Sequence, residues 1–150
     1  MNQPLVTIVT PSFNQGRFIR ATIESILAQD YAAIEYIIMD GGSTDETAAV
    51  AREYSSRVTF VSERDRGQSH AINKGFQQAR GEVLAWINSD DYYQPGALAH
   101  VADYFARHPE VDVLYGHRIV VDEASREIAR WFLPRHDDTV LRLNDFVPQE

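Results

Sequence analysis

The chain predicts an α/β fold: a mainly parallel, Rossmann-like sheet with helices on both faces. Three observations carry that expectation. Short apolar runs rich in β-branched residues alternate with stretches of helical period from residue 5 to about residue 116. Each pair of successive runs is separated by enough chain for a crossover helix, which parallel neighbours require. Polar residues and glycines follow each run directly, and ligands collect at those strand ends in open α/β sheets.

The first run, LVTIVT at 5–10, is bounded by Pro11 and Ser12 and reads as a buried strand. Phe18, Ile19, Ile23, Ile26 and Leu27 then recur at helical spacing, so a helix with one apolar face is expected over roughly 17–29. IEYIIMD at 34–40 is the second strand, followed by GGSTDE. Ser43 and Glu46 match a capping box, which opens a helix reaching about Tyr54. RVTFVS at 57–62 is the third strand, and Ile72, Phe76 and Ala79 mark a helix that Gly81 suits as the residue after its C-cap. EVLAWI at 82–87 is the fourth strand. Leu98, Val101, Ala102 and Phe105 give an apolar stripe behind Pro95, a residue suited to a first helical turn. VDVLYG at 111–116 reads as a fifth strand. Beyond it HRIVVDEASREIARWF suggests two strands around DEAS, with helix open for 123–130, and the tail RHDDTVLRLNDFVPQE a short helix and a loop.

At 150 residues the chain has the length of one domain, and 44% hydrophobic with 24% charged residues is ordinary for a soluble protein. A net charge of −8 argues against wrapping nucleic acid or holding an anionic bilayer by electrostatics. Local phosphate binding through amides, a few basic groups or a divalent cation stays open. With no cysteine there is no disulfide and no zinc–thiolate site. No run approaches the roughly 18 apolar residues of a membrane span, and the N-terminus lacks a basic start. A cytoplasmic location is expected, with a peripheral position at the inner membrane face open.

Four polar segments converge on the predicted ligand end. TPSFNQG, with Phe13 offering an apolar face, reads by itself as a plain βα turn. In DGGSTD, Ser43 and Asp45 are helix-capping types, whereas Asp40 is not needed for a cap and suits a ribose or base edge. ERDRGQSHAINKG brings Arg66 and Lys74 as basic partners for a diphosphate, with Glu63 and Arg64 read as a solvated face and His70 as a surface or packing residue. NSDD sets Asp90 beside Asp91. Two adjacent carboxylates coexist readily when a divalent cation neutralises them, and Mg²⁺ or Mn²⁺ favours such oxygens; a helix-capping turn is the plain alternative.

Read together, TIVTPSFNQGRFIRATIESILAQDY, IEYIIMDGGSTDET, SERDRGQSHAINKGF, ARGEVLAWINSDDYYQPGAL and VDVLYG resemble the nucleotide-sugar-binding half of a family 2 glycosyltransferase with the GT-A fold. The resemblance covers most of residues 5–116. It implies a nucleotide-binding half over 1–116 and the start of an acceptor-side region over 117–150, in a single domain. It implies that Thr10, Pro11, Phe13, Asn14 and Asp40 line the nucleotide pocket, and that the segment of Asp65 and Arg66 faces the base or diphosphate. Asp90 and Asp91 are implied to bind a metal, Mn²⁺ or Mg²⁺, with Asp90 also meeting the ribose or sugar. The implied partners are a nucleotide-diphosphate sugar, UDP by default, and a glycan, lipid-linked or protein acceptor. The implied reaction is inverting sugar transfer to an acceptor hydroxyl.

Two departures from the family pattern stand out. Its acidic motif is often Asp-x-Asp, and Asn88 holds the first position here. In such relatives the acceptor site and usual catalytic base lie beyond the point that DFVPQE resembles, so the base is expected past residue 150 and a C-terminal truncation is expected. His117 stands where relatives often carry an acidic residue, and it is assigned no role. Three alternatives remain at the level of sequence. They are a nucleotidyltransferase, a donor-binding fragment or pseudoenzyme without turnover, and a dinucleotide oxidoreductase, which the missing G-x-G-x-x-G pattern disfavours.

Overall fold

Four strands, β1 (Val6–Ser12), β2 (Ile34–Asp40), β3 (Thr59–Ser62) and β4 (Val83–Trp86), form one parallel sheet in the order β3-β2-β1-β4. This computed structural model describes residues 3–133. One unit of the chain ends at Glu110 and a second begins at Val111.

All seven residues of β1 are buried. Such a strand needs partners on both edges and cover on both faces, because its amides have no access to water. β2 pairs along its whole length, from Val6 with Ile34 to Ser12 with Asp40, and β4 pairs with Val6–Val9. Pro11 lies beyond the β4 pairing, where its missing N–H breaks no ladder on that side.

The helices are α1 (Ile19–Leu27), α2 (Thr47–Arg52), α3 (Gln68–Gln78) and α4 (Ala97–Arg107). Strand side chains alternate between two cores. Val6, Ile8, Tyr36 and Ile38 pack with Ile19, Ile23 and Ile26 of α1, Val50 of α2 and Leu98 of α4. On the opposite face Val9, Ile37 and Met39 meet Ala71 and Phe76 of α3. Gly75 lets α3 approach that closely: a Cβ there would stand 2.5 Å from Val9 Cγ1. The parallel sheet with helices on both faces is thus as the sequence predicts.

In the second unit, β5 (Arg118–Val121) and β6 (Glu127–Trp131) form the expected antiparallel hairpin. Asp122 closes its turn, accepting from the amides of Ala124 and Arg126, both at 2.9 Å. The ring of His117 packs edge-on against Phe132, and its Nδ1 accepts the amide of Leu133 at 3.1 Å. The tail reading falls outside the described residues. No helix among them is long and apolar enough to cross a membrane.

Several local expectations are corrected. VDVLYG is not a strand: no ladder partner meets it among the described residues, and Val113 is 76% exposed. Pro95 precedes α4 rather than opening it. It sits with Gly96 (φ 79, ψ 0) in the middle of a turn closed by the amide of Ala97 on Gln94 O, the Pro-Gly pattern of a type II turn. Ser43 and Glu46 form no capping box, since α2 begins at Thr47 and Ser43 is turned to Asp40. Lys74, expected as a basic partner for a diphosphate, forms an ion pair with Glu63.

Gly81 lies past the C-cap of α3, Ala79, and its requirement is packing. A Cβ would stand 2.6 Å from Thr7 N and 2.7 Å from Leu5 O, both backbone atoms. Its amide donates to Thr7 Oγ1 at 2.9 Å, and that hydroxyl donates to Glu35 Oε2 at 2.6 Å. Burial raises the Glu35 pKa, but Thr7 and Arg80 outweigh it and hold the carboxyl below its usual range. Gly81→Ala should therefore destabilise the sheet by about 1–3 kcal/mol, as overpacking against immovable atoms does. Urea unfolding of the two proteins measures the difference.

Candidate functional site

Because the strands are parallel, Ser12, Asp40, Ser62 and Trp86 all end at one edge of the sheet. The order turns back at β1, with β2 on one side and β4 on the other, so this edge includes a topological switch point. Four loops meet there, over residues 13–18, 41–46, 63–67 and 87–96.

The first two loops are clasped together. Asn14 adopts φ 54, a left-handed conformation that Asn tolerates. Its amide donates to Ser43 Oγ at 2.7 Å while its Oδ1 accepts the amide of Thr44 at 2.9 Å. Next along the chain, the Gln15 amide donates to Thr47 Oγ1 at 3.0 Å and the Gly16 amide to Asp45 Oδ2 at 2.9 Å. Gly16 must stay bare, because a Cβ would stand 2.9 Å from the backbone nitrogen of Thr47.

Asp40 lies beneath this clasp, 1% exposed. Its Oδ2 accepts the amides of Gly42 (3.2 Å) and Ser43 (3.0 Å) and the hydroxyl of Ser62 (2.6 Å), and its Oδ1 accepts the Ser43 hydroxyl. Thr10 is also buried, with its hydroxyl 3.0 Å from Tyr36 Oη. Burial pushes the Tyr36 phenol up, so this hydroxyl pair stays neutral across ordinary pH. Pro11 is buried beside them. These predicted site residues form the floor of the edge.

Others reach the surface. Phe13 is 61% exposed. A Cβ on Gly41 would stand 3.3 Å from the Phe13 ring and 3.0 Å from Asp65 Oδ2, so glycine at 41 is what lets that ring and carboxylate close over the backbone. Asp65 Oδ1 accepts the amide of Gly67 at 2.7 Å. Arg66 is exposed, and its amide donates to Nδ1 of His70 at 3.1 Å, which leaves the proton of the neutral ring on Nε2.

The acidic turn is tied in from two sides. Gln68, the first residue of α3, donates from Nε2 to Asn88 Oδ1 at 2.6 Å. From α1, the buried hydroxyl of Thr22 lies 2.9 Å from Ser89 O and 2.7 Å from Asp91 O, one donor shared by two carbonyls. With those carbonyls held inward, Asp90 and Asp91 are exposed side by side. Ser25 Oγ accepts the amide of Tyr93 at 3.2 Å. Gln29 donates to Gln94 O at 3.0 Å and accepts the amide of Leu98, at the start of α4, at 3.2 Å. The Tyr93 phenol is pushed up to about 12 by burial.

Thr22, Ser25, Gln29 and Gln68 were not singled out from sequence. One signal was present: the first three fall at i, i+3 and i+7, a polar row beside the apolar Ile19, Ile23 and Ile26. A surface hollow of about 370 Å³ lies elsewhere, against Glu24, Leu27, Tyr54 and Arg57 at the far ends of α1 and α2. The loop edge is an open face, and its chemistry, not its depth, makes it the candidate.

Comparison with known proteins gives three findings. The model of the Glycosyl transferase family 2 family matches residues 7–146. An uncharacterized glycosyltransferase of Rickettsia felis is 32% identical over 144 residues, which are 94% of this chain and 23% of that protein. Among solved structures, the mannosyltransferase PcManGT of Pyrobaculum calidifontis, in complex with GDP-Man and Mn²⁺, superposes with a TM-score of 0.66 at 26% identity, over 81% of this chain and 37% of that one. S. aureus TarS 1-349 in complex with UDP-GlcNAc shares the fold, with a TM-score of 0.65 at 24% identity over 70% of this chain and 32% of that one. The chain thus spans well under half the length of each.

The clasp sets a pH signature. The hydroxyl of Thr47, and then the amides of Gly16 and Thr47, hold the Asp45 carboxyl below its usual range. A carboxyl with a depressed folded pKa stabilises fully above its unfolded value, about 3.9, and loses that contribution as pH falls through the folded value. Wild type should exceed Asp45→Asn in urea midpoint at pH 7, and the gap should close only below about pH 4.

Proposed function

The chain belongs to glycosyl transferase family 2, and we propose that it forms the donor-binding part of an enzyme that transfers a sugar from a nucleotide diphosphate to an acceptor hydroxyl. The observation that carries this reading is the joining of four loops at one sheet edge, with Phe13, Arg66, Asp90 and Asp91 exposed and Asp65 half-buried. The Mn²⁺ and GDP-Man in the mannosyltransferase of similar fold support it.

Each exposed group has a task. The open ring of Phe13 offers a stacking face for the base. Asp65, an acceptor only, takes an N–H of the base or a ribose O–H through Oδ2. The guanidinium of Arg66 suits the diphosphate, whose oxygens it can meet in pairs. Thr10, Pro11 and Asp40 act from below, and Asn14 from the surface, by holding the loops that carry these groups. Asp40 does so as a saturated acceptor, which explains why a carboxylate can be buried there.

Two adjacent exposed carboxylates fit Mg²⁺ or Mn²⁺ that arrives with its substrate, where phosphate oxygens and water complete the shell. Asp90 and Asp91 would hold the ion, with Asp90 also near the ribose or sugar. The ion, when bound, neutralises charge gathering on the leaving diphosphate. Asn88 is neutral and engaged with Gln68, so the acidic pair begins two residues later than in an Asp-x-Asp motif that starts at this position.

The reaction we assign is single displacement. The acceptor oxygen bonds to the anomeric carbon opposite the diphosphate, whose bond breaks and takes the electron pair. The acceptor proton passes to a carboxylate base, and the anomeric configuration inverts. The acceptor class is a glycan, lipid-linked or protein hydroxyl, and the donor a UDP-sugar, with GDP-sugar as the competitor that the mannosyltransferase supports.

Calorimetric titration of UDP, GDP and dTDP, with and without Mn²⁺, tests this. One nucleotide should bind with a clear Mn²⁺-dependent gain, and Asp90→Ala or Asp91→Ala should abolish the gain. Phe13→Ala should weaken the nucleotide about tenfold or more, the loss of one stacked base. No binding of any nucleotide by the folded chain would leave the family fold without a donor site at this edge.

A further inference from the structure

We propose that Thr22 is a positioning residue for the acidic turn: it sets the geometry in which Asp90 and Asp91 receive a divalent cation, and Ser25 and Gln29 extend the same support. The proposal rests on the donor reading above, in which those two carboxylates hold the ion.

A helix in a parallel sheet normally buries apolar residues, and α1 does so with Ile19, Ile23 and Ile26. Thr22 is as deeply buried as they are, 0% exposed, yet it is polar. Valine would fill the same volume, so the hydroxyl is what distinguishes the residue. That hydroxyl meets two carbonyls 67 and 69 residues away, on either side of Asp90. A turn anchored at both ends has little freedom left for the residue between. Without the donor, two inward carbonyls would lose it together and the turn could rotate toward water. The two carboxylates would then no longer be carried by a fixed turn.

Further along α1 the pattern repeats with different chemistry. Ser25 accepts the Tyr93 amide, and its own hydroxyl donates to Thr22 O at 2.8 Å. Gln29 supplies an acceptor for the amide of Leu98, near the start of α4, where the N-cap is a glycine with no side chain to offer. Thr22 and Ser25 on α1, with Gln29 just past its C-cap, therefore hold the segment from Ser89 to Leu98. All of these contacts are to backbone, so they dictate the path of the turn.

The experiment uses the full chain as wild type, Thr22→Val and Thr22→Ser. It reads amide hydrogen exchange at Asp91 and Tyr93 without metal, and the Mn²⁺-dependent gain in UDP affinity. Thr22→Val should exchange at least tenfold faster at those two amides while β1 and β2 stay protected. Its Mn²⁺-dependent gain should fall about tenfold or more, the loss typical when a group supporting a metal ligand is removed. Thr22→Ser, which keeps the hydroxyl, should restore both. If Thr22→Val does not fold, Ser25→Ala takes its place, with faster exchange at Tyr93 and a smaller gain expected.

Unchanged exchange in Thr22→Val, or equal loss of protection throughout the sheet that serine does not rescue, would overturn the positioning role. An intact Mn²⁺ gain in Thr22→Val would do the same while leaving the metal reading standing. No Mn²⁺ gain in wild type, together with freed turn amides in Thr22→Val, would instead remove the metal reading and uphold the hold of Thr22 on the turn.

Discussion

Everything at the loop edge of the sheet depends on β1 being buried on both faces and paired in parallel on both sides. A strand with no access to water must satisfy its amides through neighbours. Here β2 and β4 provide the pairing, and the helices provide the cover. Parallel pairing brings strand ends that are far apart in sequence to one edge. Chemistry carried by four separate loops then falls together without further instruction. The close approach of α3 over Gly75, and of the chain at Gly81 to β1, belongs to the same constraint.

At that edge the polar residues divide into two layers. Those below are occupied by the protein itself. Asp40 accepts four hydrogen bonds and Thr10 pairs with Tyr36, while Asn14, itself exposed, bridges two loops over them. Those above, Phe13, Arg66, Asp90 and Asp91, are exposed. Burying a carboxylate is tolerable only when its oxygens are fully satisfied. Asp40 meets that condition with its own loop, which is a reason to read it as architecture. Asp65 stands between the layers, with one oxygen on the Gly67 amide and the other over Gly41.

On the reading proposed above, the layering separates the fold from the choice of donor. The lower layer fixes backbone paths through contacts that do not depend on the ligand. Changes in the upper layer alter stacking, hydrogen bonding and charge without disturbing the sheet. A mannosyltransferase with GDP-Man and a structure holding UDP-GlcNAc share the fold with this chain. Thr22 and Ser25 of α1, with Gln29 just past its end, belong to the lower layer.

The sequence by itself determined the strands and helices of the first unit, because a strand buried on both faces leaves an unbroken apolar run and a helix buried on one leaves a period of 3.6. It also determined that polar segments follow each strand and that two carboxylates adjoin at 90 and 91. Where a reading went wrong, a specific polar contact or a missing partner decided against the local pattern. VDVLYG has the composition of a strand, but composition does not supply a ladder partner. Ser43 and Glu46 have cap spacing, but Ser43 found Asp40 and Asn14 instead. Gly81 resembled a helix stop, yet what excludes a side chain there is the backbone of β1, some 74 residues earlier. Local pattern encodes which face of an element is buried. Only tertiary structure decides which polar atoms meet, because a hydrogen bond depends on position within a few tenths of an ångström, and that is set by elements remote along the chain.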